Sequence, residues 1–191
     1  MESLATIYDR YKGADCLHGS DKGTIHSYID VYEEVFAPYR LSARRVVEIG
    51  MMSGQSLRMW EEYFPQAEVY GVDLCDQPHG GLADLRPMVA EGTHRIAFFN
   101  AADHAEVDGH FGDKMFDVVI DDASHYVPDQ LAIYRNFKTH LAPGGVHIIE
   151  DIENIDRDRH LFENIDSDKI VRIVDLRAAK NRFDDVLVVI R

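Results

Sequence analysis

The sequence predicts a doubly wound α/β domain, and three observations carry that prediction. Short runs rich in Val and Ile recur along the chain, helix-like stretches separate them, and the last two runs stand too close together for a covering helix. The sheet should therefore be mostly parallel with an antiparallel terminal strand. At 191 residues, with 46% hydrophobic and 28% charged residues, the chain has room for one domain and a sizeable core. We read residues 1–191 as that single domain, with residues 1–40 as a helical N-terminal cap.

The expected strands are Arg45 to Ile49, Glu68 to Asp73, His94 to Phe99, Phe116 to Asp121 and Val146 to Glu150. Between them, Ser53 to Phe64 sets Leu57, Trp60, Glu61 and Phe64 at helical spacing, and Pro128 to His140 sets Leu131, Tyr134 and Phe137 on one stripe. Pro128 suits a helix start, and Pro143-Gly144-Gly145 suits a stop. Leu82 to Val89 and His104 to Phe111 are shorter helix candidates. Thr24 to Phe36 carries Ile25, Tyr28, Ile29, Tyr32, Val35 and Phe36, the pattern of an amphipathic cap over the sheet. Near the end, Lys169 to Leu176 and Val186 to Ile190 should pair antiparallel, because Arg177 to Asp185 is too short for a crossover helix.

Charge and composition exclude several functions. A formal net charge of -14 disfavours binding to nucleic-acid phosphates or anionic lipid. No apolar stretch approaches the roughly 20 residues of a membrane span, and the N-terminus lacks a signal core, so a cytoplasmic protein is expected. Cys16 and Cys75 are too few for a disulfide framework or a cysteine zinc site.

The first strand runs into a glycine loop. Glu48-Ile49-Gly50 is followed by Met51-Met52-Ser53-Gly54-Gln55-Ser56 and a helix, so the backbone can approach a ligand closely beside the free N–H groups of a helix start. The spacing is not GxGxxG, which argues against NAD, and no GxxxxGK[ST] is present. Asp73 ends the next strand 23 residues after Gly50, where a carboxylate can accept both hydroxyls of a ribose. Asn100, Ala102 and Asp103 follow the third strand and could meet the adenine, although Asp103 equally suits a helix cap. S-adenosylmethionine carries adenosine without phosphates and a cationic sulfonium, which is compatible with Glu48 and Asp73 beside this loop. Gly50, Gly54 and Ser56 complete the cofactor-binding set on the loop.

Asp121-Asp122-Ala123-Ser124-His125 ends the fourth strand, and Glu150-Asp151 ends the fifth. Neighbouring strands lie roughly 4.8 Å apart, so Asp122, Glu150 and Asp151 should converge as oxygen ligands for Mg²⁺. His125 follows Asp122 by three residues, and its ordinary pKa near 6.5 suits it to take a proton from an acceptor hydroxyl. The pleat turns Asp121 away from Asp122, toward support of the cofactor side. In Gly19 to Tyr28, Ser20 or Asp21 could cap a turn, and Lys22 could meet the methionyl carboxylate or a substrate group.

These motifs resemble those of class I S-adenosylmethionine-dependent methyltransferases, and specifically the metal-dependent sugar O-methyltransferases of macrolide and related antibiotic pathways. The general class rests on Glu48-Ile49-Gly50, Gly54 and Asp73; the subgroup rests on Ser20-Asp21-Lys22-Gly23, the Asp121 to His125 segment and Glu150-Asp151. The resemblance implies a Rossmann-like methyltransferase sheet with a reversed seventh strand between the fifth and sixth. It also implies Mg²⁺ on Asp122, Glu150 and Asp151, His125 as base, and Asp73 on the cofactor ribose. The motif departs from the family in carrying Ala123 where Gly is usual. Several relatives carry an additional N-terminal domain, so a homo-oligomer is expected to complete the substrate wall. The expected activity is methyl transfer to a sugar hydroxyl of a small glycoside; the alternatives are a catechol-like acceptor and a non-catalytic nucleoside-binding scaffold.

Overall fold

Seven strands hydrogen-bond into one sheet of order β3-β2-β1-β4-β5-β7-β6 in a computed structural model that describes residues 1–15, 17–74 and 95–191. The strands are β1 Arg45–Ile49, β2 Glu68–Asp73, β3 Arg95–Phe98, β4 Phe116–Asp121, β5 Leu141–Ile149, β6 Val171–Asp175 and β7 Val186–Ile190. Neighbours from β3 through β5 are parallel, while β7 runs antiparallel to both β5 and β6. The reversed strand thus sits between the fifth and sixth, and the expected doubly wound design holds. The candidate helix from Leu82 to Val89, His94, Cys16 and Cys75 lie outside the described residues.

The described α-helices are α1 Leu4–Tyr11, α2 Ile29–Phe36, α3 Gln55–Tyr63, α4 His104–Phe111, α5 Val127–Phe137, α6 Ile155–Glu163 and the single turn α7 Arg177–Lys180. Pro128 occupies the first turn of α5, where its missing N–H costs nothing. Asp103 caps α4 by accepting from the N–H groups of Ala105 and Glu106. The amphipathic cap is shorter than its apolar pattern suggests, because residues before Ile29 form turns, and α1 supplies the rest of the cover. β5 begins earlier than expected. Leu141 pairs with Phe116, and the register then shifts so that Val146 faces Val118, which turns Pro143-Gly144-Gly145 into a bulge rather than a boundary. The acidic stretch after Asp151 folds as α6.

Strand parity decides which side chains meet. Val46, Val118, Ile120, Val146 and Ile148 pack with Tyr28, Tyr32, Phe36 and Trp60 beneath α1, α2 and α3. Val47, Ile49 and Val119 pack on the opposite face with Phe111, Phe116 and Phe137. Each second residue returns to the same face, so Glu48, Asp122 and Glu150 continue the first set, whereas Asp121 continues the second. Ile49 is in register with both Val72 and Asp121, and Asp121 with Ile149, which aligns the C-terminal ends of four strands.

Candidate methyl-transfer site

A cavity of about 610 Å³ opens at that aligned edge. Its size falls within the roughly 300–1,000 Å³ of small-ligand sites. One side is built from Gly50, Met51, Ser56 and Asp73, and another from Asn100 and Ala102. Gly50 sits at φ 81°, and a Cβ there would lie 2.0 Å from the carbonyl oxygen of Asp122. The glycine loop and the Asp122 segment therefore touch through backbone, and only glycine fits between them. Asp73 accepts from the Met51 N–H at 3.1 Å and from its neighbour Leu74 at 2.7 Å, which fixes its carboxylate at the cavity wall.

Asp122, His125 and Asp151 meet at the other end. His125 Nε2 lies 3.3 Å from Asp122 Oδ1 and 3.4 Å from Asp151 Oδ2. Both His125 and Asp151 hold left-handed backbone, at φ 56° and φ 55°, a conformation that costs a non-glycine residue of order 1–3 kcal/mol and clusters at functional sites. Burial works against a charged imidazole, but the hydrogen bond and charge of Asp122, with the charge of Asp151, raise His125 to about 9. Burial also opposes ionisation of Asp122, yet Lys22 and His125 hold that carboxyl down at about 2. Asp151 is pushed up to about 7 by burial and by the neighbouring Asp122 charge.

The expected trio of metal ligands does not form one cluster. Ligand atoms of Asp122, His125 and Asp151 lie within 4.8 Å of one another, and so do those of Glu48, Asp122 and Glu150. Asp122 belongs to both groups, while Glu150 and Asp151 part company. Glu150 follows β5 on the face beneath α2, where Tyr32 donates to it, and the left-handed turn at Asp151 redirects the next carboxylate to the cavity.

Lys22, expected at the cofactor or a substrate group, lines the cavity, and its ammonium is buried among the inner carboxylates. Nζ lies 2.6 Å from Asp122 Oδ2, 2.6 Å from Glu150 Oε1 and 3.2 Å from Glu48 Oε1. Burial alone would lower the lysine pKa; the three carboxylates raise it, so the charge is retained. Glu48, assigned to the cofactor from sequence, instead accepts from the Ser56 hydroxyl at 2.6 Å beneath the loop and does not line the cavity. Asp121 and Asp103 do not line it either. Asp121 accepts from the Ala123 N–H at 3.3 Å, and burial raises it to about 8; Asp103 is a helix cap. Gly54 serves as the left-handed start of α3 at φ 73° and also stands off the cavity wall, whereas Asp21 lines it.

Three polar partners were hidden from sequence reading. Tyr28 donates to Asp151, Tyr32 donates to Glu150, and His26 Nδ1 lies 3.1 Å from Asp151 Oδ1. The tyrosines register in sequence as apolar positions of a helical stripe, which conceals the use of their hydroxyls.

A glycine loop after the first strand, an acid ending the second and a cavity across their edge define a nucleoside-type site on a doubly wound sheet. A family model described as a methyltransferase domain matches residues 47–152, more than half of the chain, and the protein belongs to that family. It is 36% identical over 143 residues to the 8-demethyl-8-alpha-L-rhamnosyl tetracenomycin-C 2'-O-methyltransferase of Streptomyces olivaceus, covering 71% of this chain and 36% of that protein. It is 33% identical over 137 residues to the mycinamicin VI 2''-O-methyltransferase of Micromonospora griseorubida, covering 68% of this chain and 32% of the relative. The chain thus spans about a third of the length of these curated relatives. Among solved structures, the MycE methyltransferase of the mycinamycin pathway, in complex with Mg and SAH, superposes with a TM-score of 0.64 at 28% identity, over 80% of this chain and 38% of that one. Fibrillarin from Aeropyrum pernix, at 18% identity and a TM-score of 0.60, shares the fold over 81% of this chain and 68% of its own. Among the described residues, no helix is long and apolar enough to cross a membrane.

Proposed function

We propose that this domain transfers a methyl group from S-adenosylmethionine to a sugar hydroxyl of a glycosylated natural product, with Mg²⁺ as cofactor. The observation that carries this reading is His125 set between Asp122 and Asp151 in the cavity that Asp73 and the Gly50 loop also line. The rhamnosyl tetracenomycin and mycinamicin methyltransferases support a sugar hydroxyl as acceptor, and the MycE complex supports the pairing of Mg with an S-adenosyl ligand.

The residues present fit a hard cation. Asp122 Oδ1 and Asp151 Oδ2 flank one imidazole at the cavity edge, and against burial the Asp122 hydrogen bond with the charges of Asp122, Asp151 and Asp121 raises His125 to about 9. Carboxylate oxygens are the donors that Mg²⁺ takes. Bound to Asp122 and Asp151, Mg²⁺ would stabilise negative charge on the acceptor oxygen and cancel the field that otherwise keeps His125 protonated. With those carboxylates engaged by the ion, His125 Nε2 would be free to take the hydroxyl proton. Asp73 binds the ribose hydroxyls, and Asn100 and Ala102 border the adenine. The apolar wall of Ile49, Met51 and Ile133 excludes water from the transfer path.

Calorimetric titration of S-adenosylmethionine and NAD, each with and without Mg²⁺, tests this proposal. Binding of S-adenosylmethionine and not NAD is the expected result; folded protein that fails to bind S-adenosylmethionine refutes it.

A further inference from the structure

His125 borders two hollows: it lines the methyl-transfer cavity and also a separate groove of about 530 Å³ between the first turns of α5 and α6. The helical repeat builds that groove. Val127, Leu131 and Arg135 stand on one stripe of α5, while Asn154, Asp158 and Leu161 recur at the three- and four-residue spacing of one α6 face. We propose that this groove is the subsite for an uncharged, apolar aglycone, placed so that the sugar attached to it reaches His125 in the cavity. The proposal deepens the reading of the site as a sugar O-methyltransferase and rests on it.

The end of the cavity at Asp73 and Asn100 is committed to the nucleoside, so a glycoside whose sugar meets His125 carries its remainder away from that end. The groove offers apolar surface there that folding does not use. Tyr126 is 63% exposed and Leu161 36%, and Val127 and Leu131 are half-buried where they pack on Tyr134, Ile149 and Phe162. The Tyr126 carbonyl accepts from the N–H groups of Asp129 and Gln130 at 2.9 and 3.0 Å, which fixes its backbone at the start of α5 and leaves its ring at the surface. Apolar side chains grouped in this way, rimmed by polar ones, mark ligand grooves. The rim charges cancel, since Arg135 and Arg157 balance Glu153 and Asp158, and Asp158 holds Arg157 through two bonds of 2.6 and 2.7 Å. A groove without net charge, on a chain of net charge -14, suits an uncharged ligand over a basic peptide. A second hollow, which Arg182 shares with the cavity, is lined among the described residues by one large apolar side chain, Phe183, and does not reach His125.

Calorimetry on protein saturated with S-adenosylhomocysteine and Mg²⁺ tests the assignment with two probes that carry the sugar of the tetracenomycin relative, 2-naphthyl α-L-rhamnoside and methyl α-L-rhamnoside. Wild type is expected to bind the naphthyl glycoside about 10- to 100-fold more tightly, the gain from burying roughly 100 Å² of aromatic surface. Folded Leu161→Asp, checked by circular dichroism, is expected to cut that preference below about threefold, and Phe183→Ala to keep it. Should Leu161→Asp fail to fold, Tyr126→Ala decides, with a preference reduced by at least about threefold. Equal affinities in wild type, no binding of either rhamnoside, or a preference that survives in the folded groove variant overturns the inference while cofactor binding stands. Loss of the preference in Phe183→Ala also overturns it and moves the aglycone to the second hollow. Equal affinities together with a dimer that Leu161→Asp dissociates in sedimentation velocity assign the groove to a second copy of the chain instead. Folded wild type that does not bind S-adenosylhomocysteine removes the proposed function, and the inference with it.

Discussion

Gly50→Ala tests the coupling between the glycine loop and the segment that carries Asp122. A methyl group there would meet the Asp122 oxygen at 2.0 Å, its carbonyl carbon at 2.6 Å and Ala123 Cα at 2.7 Å, all of them backbone. Left-handed backbone costs a non-glycine residue about 1–2 kcal/mol. Forced overpacking adds about 1–3 kcal/mol, so the combined loss is about 2–5 kcal/mol. For a chain of this length that lowers the melting temperature by about 4–20 °C. The Asp122–Ala123 backbone must move to make room, and a shift near 1 Å at a catalytic group costs on the order of 10²-fold in rate. Gly144→Ala supplies the control, because Gly144 has φ 78° but nothing within 4 Å of a built Cβ. It should lose only the conformational part, about 1–2 kcal/mol. Urea denaturation of both variants and wild type, followed by circular dichroism, measures the difference. If Gly50→Ala is no less stable than Gly144→Ala, the close backbone contact does not exist.

Three further perturbations address separate links. His125→Ala should reduce turnover by about 10²- to 10⁴-fold while S-adenosylmethionine affinity stays nearly constant; unchanged single-turnover rates would remove His125 from proton transfer. Asp73→Ala removes a charged acceptor worth about 1.5–3 kcal/mol, so calorimetry should show S-adenosylmethionine binding weakened by about 10- to 100-fold, and an unaltered Kd would move the ribose elsewhere. His147 is fully buried against Tyr134, with ring centroids 5.2 Å apart, and burial depresses it from 6.5 to about 3. Its folded state stays neutral while the unfolded chain takes up a proton, so stability is flat above pH 6.5 and falls as pH drops from 6.5 toward 3. That loss should reach about 2 kcal/mol at pH 5. His147→Leu should abolish this component of the pH dependence, and identical pH profiles for both proteins would contradict it.

The fold was legible because its signals are local. The bounds of β1, β2 and β4 match their Val-rich runs residue for residue, and α4 matches its capped segment. The start of β5 was not legible, since a Pro-Gly-Gly run reads as a terminator and the bulge that keeps Leu141 paired depends on the partner strand. At the site, the strand-end acids were visible but their grouping was not. Adjacent residues Glu150 and Asp151 suggest one cluster, yet the pleat sends Glu150 to the face of Glu48, and a left-handed turn sends Asp151 to the cavity. Parity along β1, β4 and β5 was a usable signal for the inner group. Lys22 meets Asp122 and Glu150 across separations of 100 and 128 residues, contacts that no local pattern encodes.

Incubating the protein with methyl-labelled S-adenosylmethionine, Mg²⁺ and a glycosylated polyketide bearing free sugar hydroxyls, followed by mass spectrometry of the acceptor, reads out the proposed methyl transfer itself. Label is expected on a sugar oxygen, lost when Mg²⁺ is chelated and in His125→Ala. Label on the aglycone or on nitrogen, or transfer that persists undiminished without a divalent ion, would contradict it.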